Sequence, residues 1–379
     1  MDAIFFFGSL RDHALLEIVL GRPVPASAIA AATAPGHAAF RLDDEAYPAL
    51  FPAAGQDAEG VLISGVTEAD HDRLAFYEEA EYGLSPIEVV TEVGPVQAHY
   101  FRGTEKPRIS AEIWDFDTWC HRHRAVAIEA AREYMDYLGR IPVEDIDTYW
   151  PGIMIRAYQR AHAASAEPVT SAIRSGHGPD DVRIHGIART PTRFLELQEL
   201  TLQHRRFDGG WTDRLPRTTV VWGDAVTLLP YDPRRDRVLL LEQFRPGAVA
   251  RGDRDPWCIE VVAGRLDKEE PPEETVRREA VEEAGLELGR LERIAAYYPS
   301  PGVAAEQLIA FVGEADLEGP GGLHGLADEG EDIRTLVLSF DQAMTAVADG
   351  AVNTAMGLVS LLWLAANRGR LRAEWAGKA

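Results

Sequence analysis

Three glutamates at helical spacing are the residues of this 379-residue sequence whose type and position could most clearly do chemistry. Glu279, Glu282 and Glu283 stand at i, i+3 and i+4 within the segment Glu273 to Ala284, which has no internal glycine or proline. Prolines precede this segment and a glycine follows it, so we predict a helix with the three carboxylates on one face. Because like charges at this spacing repel, a divalent cation would stabilise the face, and hard ions such as Mg²⁺ or Mn²⁺ prefer oxygen ligands.

A second set of residues indicates how this helix is held. Val276, Ala280 and Ala284 recur every four residues beside the acidic face and can pack on a hydrophobic core. A helix fixed in this way can present its carboxylates at a constant position. The alternative is a solvated acidic face, which is the ordinary explanation for a run of charges.

The stretch from Gly264 to Leu286 resembles the Nudix box, the metal-binding loop–helix–loop of the Nudix hydrolases. The resemblance implies cleavage of a nucleoside diphosphate linked to another group. It also implies that the carbonyl of Ala263 joins the three glutamates as a metal ligand. The positions that carry the resemblance are Gly264, Glu270, Arg278, Glu279, Ala280, Glu282, Glu283, Gly285 and Leu286.

Further segments resemble the bacterial ADP-ribose pyrophosphatases. They are Leu228 to Arg245, Trp257 to Gly264, Pro299 to Gly302 and His324 to Arg334. The resemblance implies Mg²⁺-dependent hydrolysis of the pyrophosphate of ADP-ribose to AMP and ribose 5-phosphate. Other substrates that fit the same pattern are another nucleotide sugar or a dinucleotide.

The same family uses a glutamate in an acidic loop to activate the attacking water. Glu329 takes that position in this sequence, and Glu331 is the alternative. A carboxylate near bound metals can accept the proton of a water whose pKa the metals have lowered. We therefore expect the base about fifty residues after the metal helix.

The resemblance also implies substrate contacts outside the metal helix. Arg217 and Arg245 match arginines that bind phosphate oxygens, for which a guanidinium fork is suited. Phe194 matches an aromatic residue that stacks on adenine, and Glu306 a carboxylate that binds the terminal ribose hydroxyls. Ser300 is a further substrate-binding candidate. Without the family pattern, Phe194 is more often a core residue than an adenine platform, and Arg217 is explained as a surface residue.

The N-terminal segment contains a separate pair of short motifs. Gly8 and Ser9 follow an apolar run and form a turn where the backbone can approach a ligand closely. This turn and the stretch Phe76 to Tyr82 resemble the γ-glutamylcyclotransferase-like (AIG2-like) family. The resemblance implies that Gly8 and Ser9 hold the substrate and that Glu78 is the general base. That base would remove a proton from an α-amine, whose nitrogen then attacks its own γ-carbonyl.

Two positions depart from this N-terminal pattern. Phe7 stands where the family has tyrosine, and Glu79 stands where it has glycine after the catalytic glutamate. The choice between Glu78 and Glu79 therefore stays open. An active enzyme and an accessory binding or metabolite-sensing domain also stay open as alternatives.

We predict an α+β chain with four parts. Residues 1–105 form a small β-barrel with helices, and residues 106–164 form a helical extension, with one long helix from Trp114 to Leu138. Residues 165–181, rich in Ala, Ser, Gly and Pro, form a linker. Residues 182–379 form a Nudix α/β/α sandwich with a mixed sheet.

The composition limits the classes of molecule that the protein can bind. The net charge of −23 argues against binding to nucleic acid or to an anionic membrane, because phosphates would be repelled. Cys120 and Cys258 are the two cysteines, without a disulfide or zinc spacing, and no apolar run is long enough to span a bilayer. We expect a cytoplasmic protein that acts on a small nucleotide sugar. The pyrophosphatase resemblance implies a homodimer that exchanges strands within residues 182–222, and the domain fusion resembles bacterial proteins associated with tellurite resistance.

Overall fold

The chain divides into two compact units, residues 1–168 and residues 169–379. They are known from a computed structural model of the protein. The residues that it describes are 3–43, 46–78, 82–103, 109–167, 171–192, 194–266, 270–319, 321–325 and 330–376.

A closed five-stranded barrel forms the centre of the N-terminal unit. Its strand order is β3-β1-β5-β4-β2, and β2 pairs again with β3, which closes the ring. A sixth strand, β6, pairs with β2 outside the ring. The strands are β1 (Ala3–Phe6), β2 (Ile29–Leu42), β3 (Pro48–Ser64), β4 (Tyr82–Thr91), β5 (Gly94–Gly103) and β6 (Ile109–Ile113).

Helices pack beside this barrel. They contribute buried side chains to a core that also holds Ile4 and Phe6 of β1. A short 3₁₀ helix, Val143–Thr148, precedes the last of them. The helices are α1 (His13–Leu20), α2 (Glu68–Tyr77), α3 (Phe116–Arg122), α4 (Arg124–Met135) and α5 (Trp150–Ser165).

The prediction of one helix from Trp114 to Leu138 was wrong, because α3 ends at Arg122 and α4 begins at Arg124. Both sides of the break contact the segment that precedes α1. The Arg11 guanidinium lies 4.5 Å from the Phe116 ring, and Arg124 donates to Asp12 at 2.6 Å. Tertiary contacts thus replace the continuous helix that the local pattern favours.

Buried charges join α4 to α5. Arg156 and Glu133 are both fully buried, and their ion pair is 2.5 Å long. Arg160 donates to the other carboxylate oxygen of Glu133 at 2.7 Å. A buried pair of this kind costs several kcal/mol to break, on the order of 3–5 kcal/mol, because one charge would remain uncompensated. The two helices therefore have a fixed relation to each other.

The C-terminal unit contains a mixed eight-stranded sheet. Its main order is β14-β15-β10-β11-β17-β16, with β12 paired to β11 and β13 to β10. The pair β10–β15 is parallel and the others are antiparallel. The strands are β10 (Ala225–Asp232), β11 (Arg237–Phe244), β12 (Trp257–Glu260), β13 (Val262–Arg265), β14 (Leu291–Tyr297), β15 (Leu308–Glu314), β16 (Leu323–His324) and β17 (Ile333–Ser339).

A smaller three-stranded antiparallel sheet precedes it in the chain. Its order is β7-β8-β9, formed by β7 (Val182–Pro191), β8 (Glu196–His204) and β9 (Leu215–Val221). The helices of the unit are α6 (Pro246–Arg251), α7 (Pro272–Ala284), α8 (Phe340–Ala348) and α9 (Ala355–Trp375).

Helices cover both faces of the large sheet because its central strands bury alternate residues on opposite sides. Val226 and Leu228 of β10 pack with α7, and Leu229 and Tyr231 of the same strand pack with α8 and α9. The result is a three-layer α/β/α sandwich. Within the described residues, no helix has both the length and the apolarity that crossing a membrane requires.

Candidate active site

The acidic helix α7 is fixed by its ends and by its apolar side. It starts at Pro272 and ends before Gly285, whose φ of 63° is left-handed, as a glycine C-cap allows. Val276, Ala280 and Ala284 are buried in the core beneath the sheet. The carboxylate face is therefore held at a constant position, as the spacing predicted.

Arg278 occupies the centre of the carboxylate cluster. Its guanidinium bonds Glu279 at 2.8 Å, Glu282 at 2.9 Å and Glu270 at 3.0 Å. These ion pairs compensate the repulsion between the acids. Among the described residues, no group of three Asp, Glu, His or Cys side chains already converges on a single metal position, because Arg278 draws two of the predicted ligands toward itself.

Glu283 is the most buried of the three predicted ligands, with 4% of its surface exposed. One carboxylate oxygen accepts a hydrogen bond from the amide of Ala263 at 3.0 Å. Burial raises the pKa of Glu283 to about 8, and repulsion from Glu279 and Glu331 acts in the same direction, against the Ala263 bond and Arg245. A buried carboxyl with this environment gains most from a nearby cation.

Glycine at position 264 leaves room for the side chain of Glu279 between β13 and α7. A Cβ atom there would lie 2.0 Å from the Glu279 carboxyl carbon. The side chain of Glu279 thus fills the space that any other residue would take. The carboxylates of Glu279, Glu282 and Glu283 are oxygen donors of the kind that a hard divalent cation prefers.

Arg245 and Glu306 lie within electrostatic reach of each other. Arg245 donates to the buried Glu260 at 2.6 Å. Burial raises the pKa of Glu306 to about 7, as does repulsion from Asp224, whereas a hydrogen bond from Trp222 and the charge of Arg245 oppose the rise. Arg245 also lowers the pKa of Glu283, so its charge acts on both the acidic helix and the predicted ribose-binding carboxylate.

Sequence reasoning missed Tyr297, the last residue of β14. Its hydroxyl is buried and has no hydrogen-bond partner among the described residues. Burial raises the pKa of Tyr297 to about 12, with a contribution from the negative charge of Glu306. The only signal in the sequence was its position two residues before Pro299, which does not indicate an unpaired hydroxyl beside an acid.

The other predicted substrate residues are exposed. Phe194 precedes β8 and has 72% of its surface exposed, so it is not a core residue. Arg217 lies on β9 and donates to the carbonyl of Pro216 at 2.8 Å. Ser300 accepts hydrogen bonds from the amides of Val303 and Ala304 through its carbonyl.

The two candidates for the general base are Glu329 and Glu331. Glu331 is partly buried, and its charge acts on Glu283. Glu329 lies outside the described residues, and so does Glu79 in the N-terminal unit.

The N-terminal unit contains a cavity of about 410 Å³. Gly8, Ser9 and Glu78, which the sequence motifs predicted as one site, all line it. A Cβ atom on Gly8 would lie 3.2 Å from the ring of Pro48, which also lines the cavity. The structure therefore brings these three residues together in the lining of one cavity.

Comparison with protein families gives two matches. Residues 221–355 match the NUDIX domain, and residues 4–119 match the family described as gamma-glutamyl cyclotransferase, AIG2-like. The two regions lie in different compact units.

Curated relatives match the C-terminal unit. The ADP-ribose pyrophosphatase of Escherichia coli (strain K12) is 39% identical over 199 residues, which are 52% of this chain and 95% of that protein. The ADP-ribose pyrophosphatase of Haemophilus influenzae is 34% identical over 197 residues, 52% of this chain and 91% of that protein. The GDP-mannose pyrophosphatase of Klebsiella pneumoniae is 34% identical over 172 residues, 45% of this chain and 85% of that protein. The chain is thus a hydrolase that belongs to the Nudix family and carries an AIG2-like gamma-glutamyl cyclotransferase domain at its N-terminus.

Proposed function

We propose that the C-terminal unit hydrolyses the pyrophosphate bond of ADP-ribose in the presence of Mg²⁺, giving AMP and ribose 5-phosphate. The observation that carries the proposal is the hydrogen bond from the Ala263 amide to Glu283, which fixes the carboxylate face of α7 against β13. Arg245 and Glu306 are the proposed phosphate-binding and ribose-binding groups of the same site. Similarity to ADP-ribose pyrophosphatases over nearly their whole length supports the same substrate.

The carboxylates of Glu279, Glu282 and Glu283 and the carbonyl of Ala263 would hold the cation. Bound Mg²⁺ would neutralise pyrophosphate charge and lower the pKa of the attacking water. Arg278 orients the carboxylate cluster as its charge partner, because its guanidinium bonds Glu279 and Glu282. Mn²⁺ has the same ligand preference and is the alternative ion.

The remaining residues act on substrate and proton. The Arg245 guanidinium binds phosphate oxygens, and Glu306 accepts hydrogen bonds from ribose hydroxyls. The exposed ring of Phe194 offers a stacking surface for adenine, and Arg217 and Ser300 are further substrate contacts. Glu329 takes the proton of the attacking water, with Glu331 as the alternative.

The test is incubation of the full chain with ADP-ribose, with Mg²⁺ or with EDTA, and identification of the products. AMP and ribose 5-phosphate should form only with the divalent cation. Formation of ADP and free ribose, or no turnover with Mg²⁺, would refute the proposal.

GDP-mannose is the second candidate substrate, since a GDP-mannose pyrophosphatase is 34% identical to the chain. The same metal-binding carboxylates would serve the pyrophosphate of either substrate. The contacts to the sugar and to the base therefore decide which nucleotide sugar is hydrolysed. A kcat/KM for GDP-mannose above that for ADP-ribose would favour this candidate.

We also propose a homodimer formed through the sheet of β7, β8 and β9. The apolar side chains of Val182, Ile184, Ile187 and Leu197 on this sheet are exposed. Apolar surface of this kind marks a protein interface. Ile184→Asp should then convert a dimer to a monomer in gel filtration, whereas an unchanged mass would argue against this surface.

The free thiols of Cys120 and Cys258 support a cytoplasmic location.

A second activity, cyclisation of γ-glutamyl amines by the N-terminal unit, is supported by the cavity that Gly8, Ser9 and Glu78 line. Release of 5-oxoproline from γ-glutamyl peptides tests it. Loss of that release in Glu78→Gln would support Glu78 as the base, and retention would contradict it.

A further inference from the structure

The walls of the N-terminal cavity have an unusual composition. Nine of its sixteen described lining residues are aromatic, and two, Glu78 and Asp147, are acidic. None of these described lining residues is Lys, Arg or His. Aromatic faces and carboxylates both attract cations, whereas these side chains offer an anionic ligand no positive charge. A volume of about 410 Å³ is within the ordinary range for a small organic ligand.

One wall comes from outside the region that matches the cyclotransferase family. Tyr134, Asp147, Trp150 and Pro151 line the cavity, and all four follow residue 119, where the family match ends. Asp147 lies on the 3₁₀ helix Val143–Thr148 and is exposed, so it is at the mouth of the cavity. The helical extension thus adds an acidic group, Asp147, to the lining of the cavity.

This added wall is held firmly against the barrel domain. The Tyr134 hydroxyl donates to the carbonyl of Phe76 at 3.1 Å, and the two rings pack at 5.1 Å. Trp150 packs on Tyr134 with 5.9 Å between the ring centroids. Because Glu133 and Arg156 also fix α4 to α5, the wall has a defined position relative to Glu78.

We propose that this cavity binds an aliphatic amine with a positive charge at each end, one facing Glu78 and the other Asp147, and that Asp147 determines this specificity. The two carboxylates come from different elements, α2's C-cap and the 3₁₀ helix, so a ligand that pairs with both needs two cationic groups. The aromatic side chains of the cavity suit an aliphatic chain, and their ring faces attract the ammonium groups at its ends. Binding in this manner does not depend on whether Glu78 acts as a base.

Isothermal titration of the full chain at neutral pH tests the proposal. The four probes share a five-carbon chain and differ in their end groups: 1,5-diaminopentane, 1-aminopentane, pentane-1,5-diol and glutarate. The diamine should bind about two- to fivefold more tightly than the monoamine, which is the range expected for one added charge pair at an exposed site. The diol and the dicarboxylate should bind more weakly still.

Variants test whether Asp147 pairs with the second ammonium group of the diamine. Asp147→Asn should lower diamine affinity to that of the monoamine and leave monoamine affinity unchanged. Asp145→Asn is the matched control, since Asp145 lies on the same exposed 3₁₀ helix but not among the lining residues. The proposal is overturned by an unchanged diamine-to-monoamine ratio in Asp147→Asn, by tighter binding of glutarate or the diol, or by no diamine binding up to about 10 mM. AMP release from ADP-ribose, measured on the same samples, separates these outcomes from a failure of the C-terminal proposal.

Discussion

The carboxylate of Glu283 accepts a hydrogen bond from the amide of Ala263 at 3.0 Å, so the acidic helix α7 is bonded directly to strand β13. The residue after Ala263 is the glycine that makes room for Glu279. Two predicted metal ligands on the helix therefore depend on the backbone path of one strand. This dependence makes the site testable by substitutions in either element.

The first prediction concerns Gly264→Ala. The added Cβ atom would lie 2.0 Å from the Glu279 carboxyl carbon, so that side chain must move. We expect the Mg²⁺ concentration for half-maximal activity to rise roughly 10–100-fold, as for other changes that displace a metal ligand. Titration of AMP release against Mg²⁺ measures it. Gly247→Ala, where no atom lies within 4 Å of the new Cβ, is the control, and an unchanged Mg²⁺ requirement in Gly264→Ala would contradict the proposed metal site.

The second prediction separates the two candidate bases. Glu329→Gln should lower kcat by about 10²–10⁴-fold, the range for loss of a general base, with the Mg²⁺ requirement unchanged. Glu331→Gln should have the smaller effect. Single-turnover measurements of AMP formation with both variants test the order. A fully active Glu329→Gln enzyme, or a greater loss in Glu331→Gln, would reassign the base.

Local signals predicted the acidic helix well. Its predicted span, Glu273 to Ala284, differs from the observed Pro272–Ala284 by one residue, because the proline start and the glycine end are encoded within the segment itself. The start of helix α8 (Phe340–Ala348) is likewise encoded locally, since Ser339 caps it.

Long-range contacts explain what the sequence did not reveal. The break between α3 and α4 coincides with contacts to Arg11 and Asp12, which lie more than a hundred residues earlier in the chain. The contribution of Asp147 to the cavity also arises from contacts between distant segments. No pattern within a short window encodes such neighbours.

The third prediction concerns Tyr297→Phe. A buried hydroxyl without a partner costs about 1–3 kcal/mol, so its removal should stabilise the substrate-free protein. If the hydroxyl bonds the substrate near Glu306, KM for ADP-ribose should rise roughly fivefold while kcat stays within about twofold. Calorimetry and steady-state kinetics measure the two effects. Tyr298→Phe, at an exposed neighbour, is the control, and a stabilised variant with unchanged KM would show that Tyr297 does not contact substrate.

The fourth prediction is a pH dependence of stability. Burial raises the pKa of Glu306 from its ordinary 4.5 to about 7 in the folded chain. A raised carboxyl pKa gives stability below the unfolded pKa, and that stability is lost as the pH rises through about 7. Glu306→Gln, which cannot ionise, should therefore exceed wild type in stability at pH 8 by about 1–2 kcal/mol after allowance for partial exposure.

Calorimetry in EDTA at pH 5 and pH 8 measures this difference in melting temperature. The gap between Glu306→Gln and wild type should narrow toward pH 5, where the folded protein holds Glu306 neutral. A gap that is constant with pH, or that widens at low pH, would show that Glu306 is not held in this environment.

The most direct test of the central claim is AMP release from ADP-ribose with Mg²⁺ by the wild-type chain and by Glu283→Gln. Wild type should produce AMP and ribose 5-phosphate, and Glu283→Gln should lose about 10³-fold or more in kcat because a buried metal ligand is gone. Glu274→Gln, at an exposed position in the first turn of the same helix, should match wild type. Absence of AMP with the wild-type chain, or wild-type turnover in Glu283→Gln, would contradict the account.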